Sequence, residues 1–544
     1  MYRTHNFARL ALLSLVWVPT LSGQQSEATP ASCASLTKLS LPNATILQAD
    51  PIAAGAIPAP PNTSPDGAKA LQLLPALCRV TAQLTPSPDS DIRMQLWMPA
   101  TGWNGKFRGQ GNGGFAGVID ISRIALAVSH GYASAGTDTG HTGTATDAGW
   151  ALNHPEKVID FGYRGIHEMT QASRSIIQAY YGAAPRHSYF SSCSDGGREA
   201  LMEAQRFPLD YDGIIAGAPA YNWTALITNS VFNSQALTLY PDSYIPPAKL
   251  PLISSAVLAA CDAKDGVADG ILNDPRSCHF KPSTLLCAAA ETDKCLNPHQ
   301  VKALEALYSG VHSADGKQIF PGYLPGAELG SGGWLPWITG PAPNKSLMFA
   351  FGQGYFSDIV FEQPAWNYKS LTIDADYKAA TAKTAAILNA TDPNLKPFIR
   401  RGGKLILYHG WNDPAISPLS TIDYFNNLIS VTGQSSVDSS VRLFMAPGMQ
   451  HCGGGPGPDT FGQFGWAPNQ GADDPQHDLY LALEQWVEHH AAPEQVIATK
   501  FSGDGESRKA TITRPLCAYP KAAKYKGSGD TNDAASFTCT TAPQ

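Results

Sequence analysis

Charge is scarce in this 544-residue chain. Asp, Glu, Lys and Arg make up 15% of it, and 38 basic against 45 acidic residues leave a net charge of −7. No cluster of lysines and arginines stands out, which argues against nucleic acid or an anionic membrane as a main partner. Low charge beside 43% apolar residues is the composition of a globular protein with a large core, not of a disordered one. Beyond the N-terminus nothing approaches ~20 uninterrupted apolar residues, so no membrane span is expected. Internal repeats and coiled-coil heptads are also missing. The length argues against one ordinary domain; it suits a core domain carrying a large insertion, or two to three domains.

Among the features that are present, the N-terminus comes first. Arg3 and Arg9 precede an apolar stretch over 10–18, and small residues follow around Ser22 and Gly23. That is the layout of a secretory signal peptide over 1–23. The expected location is therefore secreted or periplasmic, which makes the ten cysteines disulfide candidates.

From 72 to 220 short apolar runs alternate with helical patterns. Strands are predicted over 92–99 and 211–220, a strand with its loop over 131–141 and a strand then turn over 187–197, with a glycine-rich loop over 107–118. Helices are predicted over 165–182 and 198–208. This alternation predicts the α/β class, with a parallel sheet covered on both faces. The stretch 221–391 is richer in Pro, Gly and Trp and predicts short helices and long loops. Strand-then-loop patterning resumes at 402–418 and 441–458, and a helix is predicted over 478–490. The simplest organisation is an α/β domain in two parts, 24–220 and 392–544, interrupted by an inserted lid domain over 221–391.

Chemistry concentrates at three strand ends. Ser194 sits between a predicted strand and helix in S-C-S-D-G, a variant of the G-x-S-x-G turn with Ser192 in place of the first glycine. A serine needs a base to take its proton, and the base needs a carboxylate to orient it. Asp413 follows the apolar run 404–408, and His451 follows 441–448. The order Ser, Asp, His, each after a strand, is that of an α/β-hydrolase. Cys193 precedes the serine and Cys452 follows the histidine; a bond between them would hold Ser194 and His451 within reach of each other. The amide of Asp195, the residue after the nucleophile, is expected to donate to an oxyanion.

C-S-D-G-G-R-E-A (193–200), Y-H-G-W-N-D (408–413), P-G-M-Q-H-C-G-G-G-P-G (447–457) and the stretch 513–530 together resemble the tannase/feruloyl esterase family. That family is marked by a Cys-Ser, Asp, His-Cys arrangement and includes the bacterial mono(2-hydroxyethyl) terephthalate hydrolase (MHETase). The resemblance implies an α/β-hydrolase fold with a large inserted lid domain, Ser194 as nucleophile, His451 as base and acid, and Asp413 as orienter. It makes Gly114 the second oxyanion donor. It also implies the disulfides Cys33–Cys78, Cys261–Cys278, Cys287–Cys295 and Cys517–Cys539.

Asp262, Asp265 and Asp269 crowd among glycines, and closely spaced carboxylates with carbonyls between them suit Ca²⁺. The spacing is not that of an EF-hand. The resemblance implies a structural calcium there, with carbonyls of Val267 and Ile271 completing the set. The expected activity is that of a secreted serine carboxylic ester hydrolase on small esters of aromatic (phenolic) acids, feruloyl esterase- or tannase-like. Aromatic side chains in 334–356, namely Trp334, Trp337, Phe349, Phe351, Tyr355 and Phe356, suit a planar acyl group, although most are expected to form the lid's own core. MHETase-like activity on terephthalate monoesters, a peptidase on the same fold, and a non-catalytic calcium-stabilised secreted binding protein remain alternatives. His409 and Ile416, flanking Asp413, match positions near the family's active site but receive no catalytic role, and the oligomeric state stays open.

Overall fold

The computed structural model describes residues 1, 31–59, 63, 65–463, 474–503 and 507–541. All but the first residue of the expected signal peptide lies outside them. In chain order the strands are β1 (Ala44–Ile52), β2 (Leu77–Leu84), β3 (Ile92–Pro99), β4 (Lys106–Gln110), β5 (Ala133–Thr137), β6 (His187–Cys193) and β7 (Gly213–Gly217). A short ribbon, β8 (Gly310–His312) and β9 (Gln318–Pro321), follows, then β10 (Lys404–Gly410) and β11 (Val441–Ala446); two C-terminal ribbons, β12 (Gln495–Ser502) with β13 (Lys509–Cys517) and β14 (Lys521–Tyr525) with β15 (Phe537–Thr541), complete the set. One nine-stranded sheet takes the order β1-β2-β3-β5-β4-β6-β7-β10-β11. The pairs from β1 to β5 are antiparallel, and every pair from β5 onward is parallel.

Burial along the strands explains why both faces are covered. In β10, Leu405 and Leu407 enter one core while Ile406 and Tyr408 enter another, and β6 divides Phe190 from Tyr189 in the same way. Ile166, Met169, Ile176 and Ile177 of the helix Gly165–Tyr181 cover the first face. Leu479, Leu483 and Trp486 of the helix Leu479–His489 cover the second. Strands buried on two faces carry near-continuous apolar runs, whereas β2 alternates with a half-exposed residue at every second position. The result is an α/β-hydrolase-like fold with helices on either side of a mixed sheet.

Two local expectations need correction. The glycine-rich stretch from 107 is strand as far as Gln110, and β4 lies between β5 and β6 in the middle of the sheet. Phe107 is fully buried there, so packing overrides the loop-like composition. Nor are the helices of 221–391 all short: Trp223–Thr238 and Ile373–Leu388 each run for 16 residues. Twelve of the sixteen residues of Trp223–Thr238 are buried. A helix covered nearly all round shows no polar face, and so no helical periodicity to read. This stretch contributes only the β8–β9 ribbon to the strands, and it joins the main sheet's loops over a core containing Phe115, Phe161, Trp223 and Phe356. Among the described residues no helix is long and apolar enough to cross a membrane.

Candidate active site

Ser194 stands between β6 and the helix Asp195–Arg206, with φ 68° and ψ −123°. That backbone conformation is rare for a residue with a side chain, and such strain gathers at functional turns. The turn is locked from both sides: the Ser194 amide donates to the Gly217 carbonyl at 2.9 Å, and the Ser194 carbonyl accepts from Arg198 and Ala220 at 3.1 Å each. Ser192 is accommodated because its neighbour across the turn has no side chain. A Cβ on Gly196 would lie 1.9 Å from the Ser192 hydroxyl.

Two loops converge on this serine. The Ser194 hydroxyl donates to His451 Nε2 at 2.9 Å, and His451 Nδ1 donates to Asp413 Oδ2 at 2.8 Å. Asp413 is fully buried, and its Oδ1 accepts from the Ala415 and Ile416 amides at 2.8 and 2.9 Å. Burial acts to raise the Asp413 carboxyl, but the His451 charge, with hydrogen bonds from His409 and His451, outweighs it and holds the group well below the usual carboxylate range. His409, read in the sequence as a bystander, also donates from Nε2 to Asp413 Oδ2 at 3.1 Å, while the Thr421 hydroxyl meets its Nδ1 at 2.7 Å. The motif that holds it places it near the site without giving it a role; only the turn back from 410 to 416 aims it at the carboxylate. Cys193 and Cys452 form a disulfide with Cα atoms 6.0 Å apart. The residues just before the acid and the base, Asn412 and Gln450, donate to the carbonyls of Gly326 and Leu329 in the stretch 221–391.

The expected oxyanion donors face the same place. Gly114, Ser194 and Asp195 line one apolar pocket with Trp223, Leu226, Trp337, Met348 and Ile416. Gly114 has φ +61°, and a Cβ there would meet the Ala145 carbonyl oxygen at 2.3 Å, so only glycine fits. The Asp195 carboxylate turns away onto Arg198 Nε at 2.6 Å, and the buried Arg198 in turn donates to the carbonyls of Gly162 and Phe161. Beside this pocket opens a cleft of about 710 Å³ that also reaches Ser194 and His451 and carries Asp120, Ser122, Arg123 and Thr146 on its wall. Of the aromatic residues named from 334–356, Trp337 and Phe351 line both spaces, and Trp337 stands edge-on to the His451 ring at 4.8 Å. Trp334, Tyr355 and Phe356 are fully buried, and Phe349 packs edge-on against Tyr368. Trp223 and Leu226 went unnoticed in the sequence because their helix has no polar face to orient it.

The other eight cysteines are bonded as Cys33–Cys78, Cys261–Cys278, Cys287–Cys295 and Cys517–Cys539. Inside the loop closed by Cys261–Cys278, Asp262 accepts from the Gly270 amide, Asp265 from Val267 and Asn273, and Asp269 from Ile271 and from Arg514. Burial raises the Asp265 carboxyl, and the charges of Asp269 and Asp262 add to the rise. Arg514 compensates one of these charges, at 2.8 Å from Asp269 Oδ2. The three side chains do not draw as close as 4.8 Å; among the described residues the group that does is His167, Glu203 and Asp210. There burial, followed by the Asp210 charge, pushes the Glu203 carboxyl well above its usual range.

A family model described as tannase and feruloyl esterase matches residues 78–540. An uncharacterized esterase of Xanthomonas campestris pv. campestris is 38% identical over 99% of this chain and 96% of its own. A probable feruloyl esterase B-2 of Aspergillus terreus is 31% identical over 97% of this chain and 98% of its own. The crystal structure of feruloyl esterase B from Aspergillus oryzae superposes with a TM-score of 0.83 at 29% identity, covering 93% of this chain and 99% of that one.

Proposed function

The chain belongs to the tannase and feruloyl esterase family and is a carboxylic ester hydrolase; from that premise we propose that it cleaves esters of phenolic acids through an acyl-serine intermediate. The observation that carries the reading is the unbroken relay from Ser194 to His451 to Asp413 beside two backbone amides. Ser194 attacks the ester carbonyl while His451 Nε2 takes its proton. The imidazolium so formed is paired with Asp413, and the oxyanion is received by the amides of Gly114 and Asp195. His451 then returns the proton to the leaving alcohol, and water repeats the sequence on the acyl-serine. The rival reading as a non-catalytic binding protein has nothing to set against this relay.

In this reading the acyl group enters the apolar pocket under Trp337, and the alcohol lies in the open cleft with its polar wall. Among the described residues lining the apolar pocket none is lysine or arginine, and a buried carboxylate without a partner is costly. This favours a neutral aromatic acyl group, as in ferulate or gallate, over a terephthalate monoester with its free carboxylate. The expected result is that kcat/KM for methyl ferulate or methyl gallate exceeds that for mono(2-hydroxyethyl) terephthalate by at least about a hundredfold. Steady-state kinetics on the three esters checks this, and a preference for the terephthalate ester overturns it.

A structural Ca²⁺ held by Asp262, Asp265 and Asp269 with the Val267 and Ile271 carbonyls belongs to the same proposal. It would offset the charge in a loop whose Ile271 side chain packs 3.1 Å from where a Gly448 side chain would start, three residues before His451. Its chemistry is charge compensation alone. Calcium chelation is expected to lower Tm by several degrees, with recovery on adding Ca²⁺ and not Mg²⁺; an unchanged Tm and no bound calcium by elemental analysis would remove the assignment. Five disulfides support export to an oxidising compartment, secreted or periplasmic.

A further inference from the structure

We propose that Glu199, which no reading of the sequence singled out, is a positioning residue that docks the oxyanion loop onto the helix behind the nucleophile. The inference rests on the proposed roles of Ser194 and Gly114. Glu199 lies one helical turn past Asp195 and is 1% exposed. Its Oε2 accepts the Asn112 amide at 2.8 Å, and the Asn112 carbonyl accepts the Gly196 amide at 3.1 Å.

The main chain of Asn112 is thus gripped at both ends by the first turns of one helix, the helix whose opening amide is the other oxyanion donor. Gly114 follows two residues later. The loop also sits directly on the carboxyl group, since a Cβ on Gly111 would lie 2.6 Å from Glu199 Oε2. From the other side the Asn112 side chain donates to the carbonyls of Val118 and Thr137 at 3.0 and 2.8 Å, tying the loop to the end of β5. The spacing between the Gly114 and Asp195 amides is therefore set by Glu199 and Gly196 together.

A helix-capping or core role does not require this geometry. Glu199 Oε1 meets no hydrogen-bond partner among the described residues, and Arg198, the adjacent cation, is committed to Asp195. Burial, followed by the Asp195 charge, raises the Glu199 carboxyl well above the usual range. What the loop uses is an acceptor oxygen of a given reach; a negative charge is not needed. Glutamine supplies that oxygen, whereas leucine lacks it and aspartate falls one methylene short.

The test compares Glu199→Gln, Glu199→Asp and Glu199→Leu with wild type on methyl ferulate, together with affinity for an aryl boronic acid and for free ferulate. A boronate becomes tetrahedral on the serine and uses the oxyanion donors; ferulate does not need them. The Asp and Leu variants are expected to lose about a hundredfold in kcat, the scale of a misplaced or missing donor. KM and ferulate affinity should hold within about threefold, and boronate affinity should fall in parallel with kcat. The Gln variant should stay within about threefold of wild type throughout. If Glu199→Leu does not fold, Glu199→Asp carries the same comparison. Wild-type kcat retained in Asp, a Gln variant as damaged as Asp, or equal losses in boronate and ferulate affinity each overturn the proposal. Absence of wild-type turnover on both methyl ferulate and methyl gallate would instead overturn the proposed substrate, and the boronate comparison would still judge Glu199.

Discussion

Ser194→Ala is expected to lower kcat/KM by about 10⁶-fold, and Asp413→Asn by about 10⁴-fold, the scale on which serine–histidine–carboxylate units fail when one member is lost. The serine loss is larger because, among the described residues, Ser194 Oγ at 2.9 Å is the hydrogen-bond partner of His451 Nε2. The aspartate loss works through the imidazole. Asp413 Oδ2 accepts from His451 Nδ1 and His409 Nε2, and its Oδ1 from two amides. An asparagine amide nitrogen at Oδ2 would face two N–H donors, which drives His451 to the tautomer with its proton on Nε2. That proton then points at Ser194, and the base is gone. Ester kinetics of each variant, with fluorophosphonate labelling of Ser194 followed by mass, measures both. Ser194→Ala retaining more than about one part in a hundred of wild-type turnover would sink the assignment.

Removal of the Cys193–Cys452 bond, as Cys193→Ala with Cys452→Ala, is expected to cost about a hundredfold in kcat/KM. The two cysteines adjoin the serine and the histidine in sequence, and their Cα atoms stand 6.0 Å apart, so the bond fixes the separation of the reacting pair. A misplacement of ~1 Å at such a pair costs about that factor. Stability should fall as well. The bridge closes a sequence separation of 259 residues, for which loop-entropy arguments give roughly 5 kcal/mol as an upper figure. Kinetics on the folded double variant, with folding followed by circular dichroism, separates the two effects. A folded double variant with full activity would show that the bond staples the fold without aligning the site.

The fold class and the site's chemical members were legible in the sequence because both are written locally. Alternating apolar runs and helical periods specify strands covered on two faces. Ser194, Asp413 and His451 each follow a strand, where side chains emerge at the carboxyl ends of a parallel sheet. The cysteines beside two of them mark the same place. Asp262, Asp265 and Asp269, the proposed calcium donors, are also neighbours in sequence, so their crowding is visible before any folding.

What surrounds those members was decided by tertiary structure. Glu199 and Asn112 are 87 positions apart. His409 lies in a motif of the site, but its role appears only when the chain doubles back to present it to Asp413. Trp223 and Leu226 become pocket walls on a helix buried nearly all round, and such a helix leaves no amphipathic signature to read. The central strand β4 was hidden in a glycine-rich stretch for a related reason: Phe107 and Gly109 are strand-like only because β5 and β6 flank them. Local sequence sets which chemistry a residue carries and which element it favours. The atoms that orient it come from distant parts of the chain, through packing that no local period records.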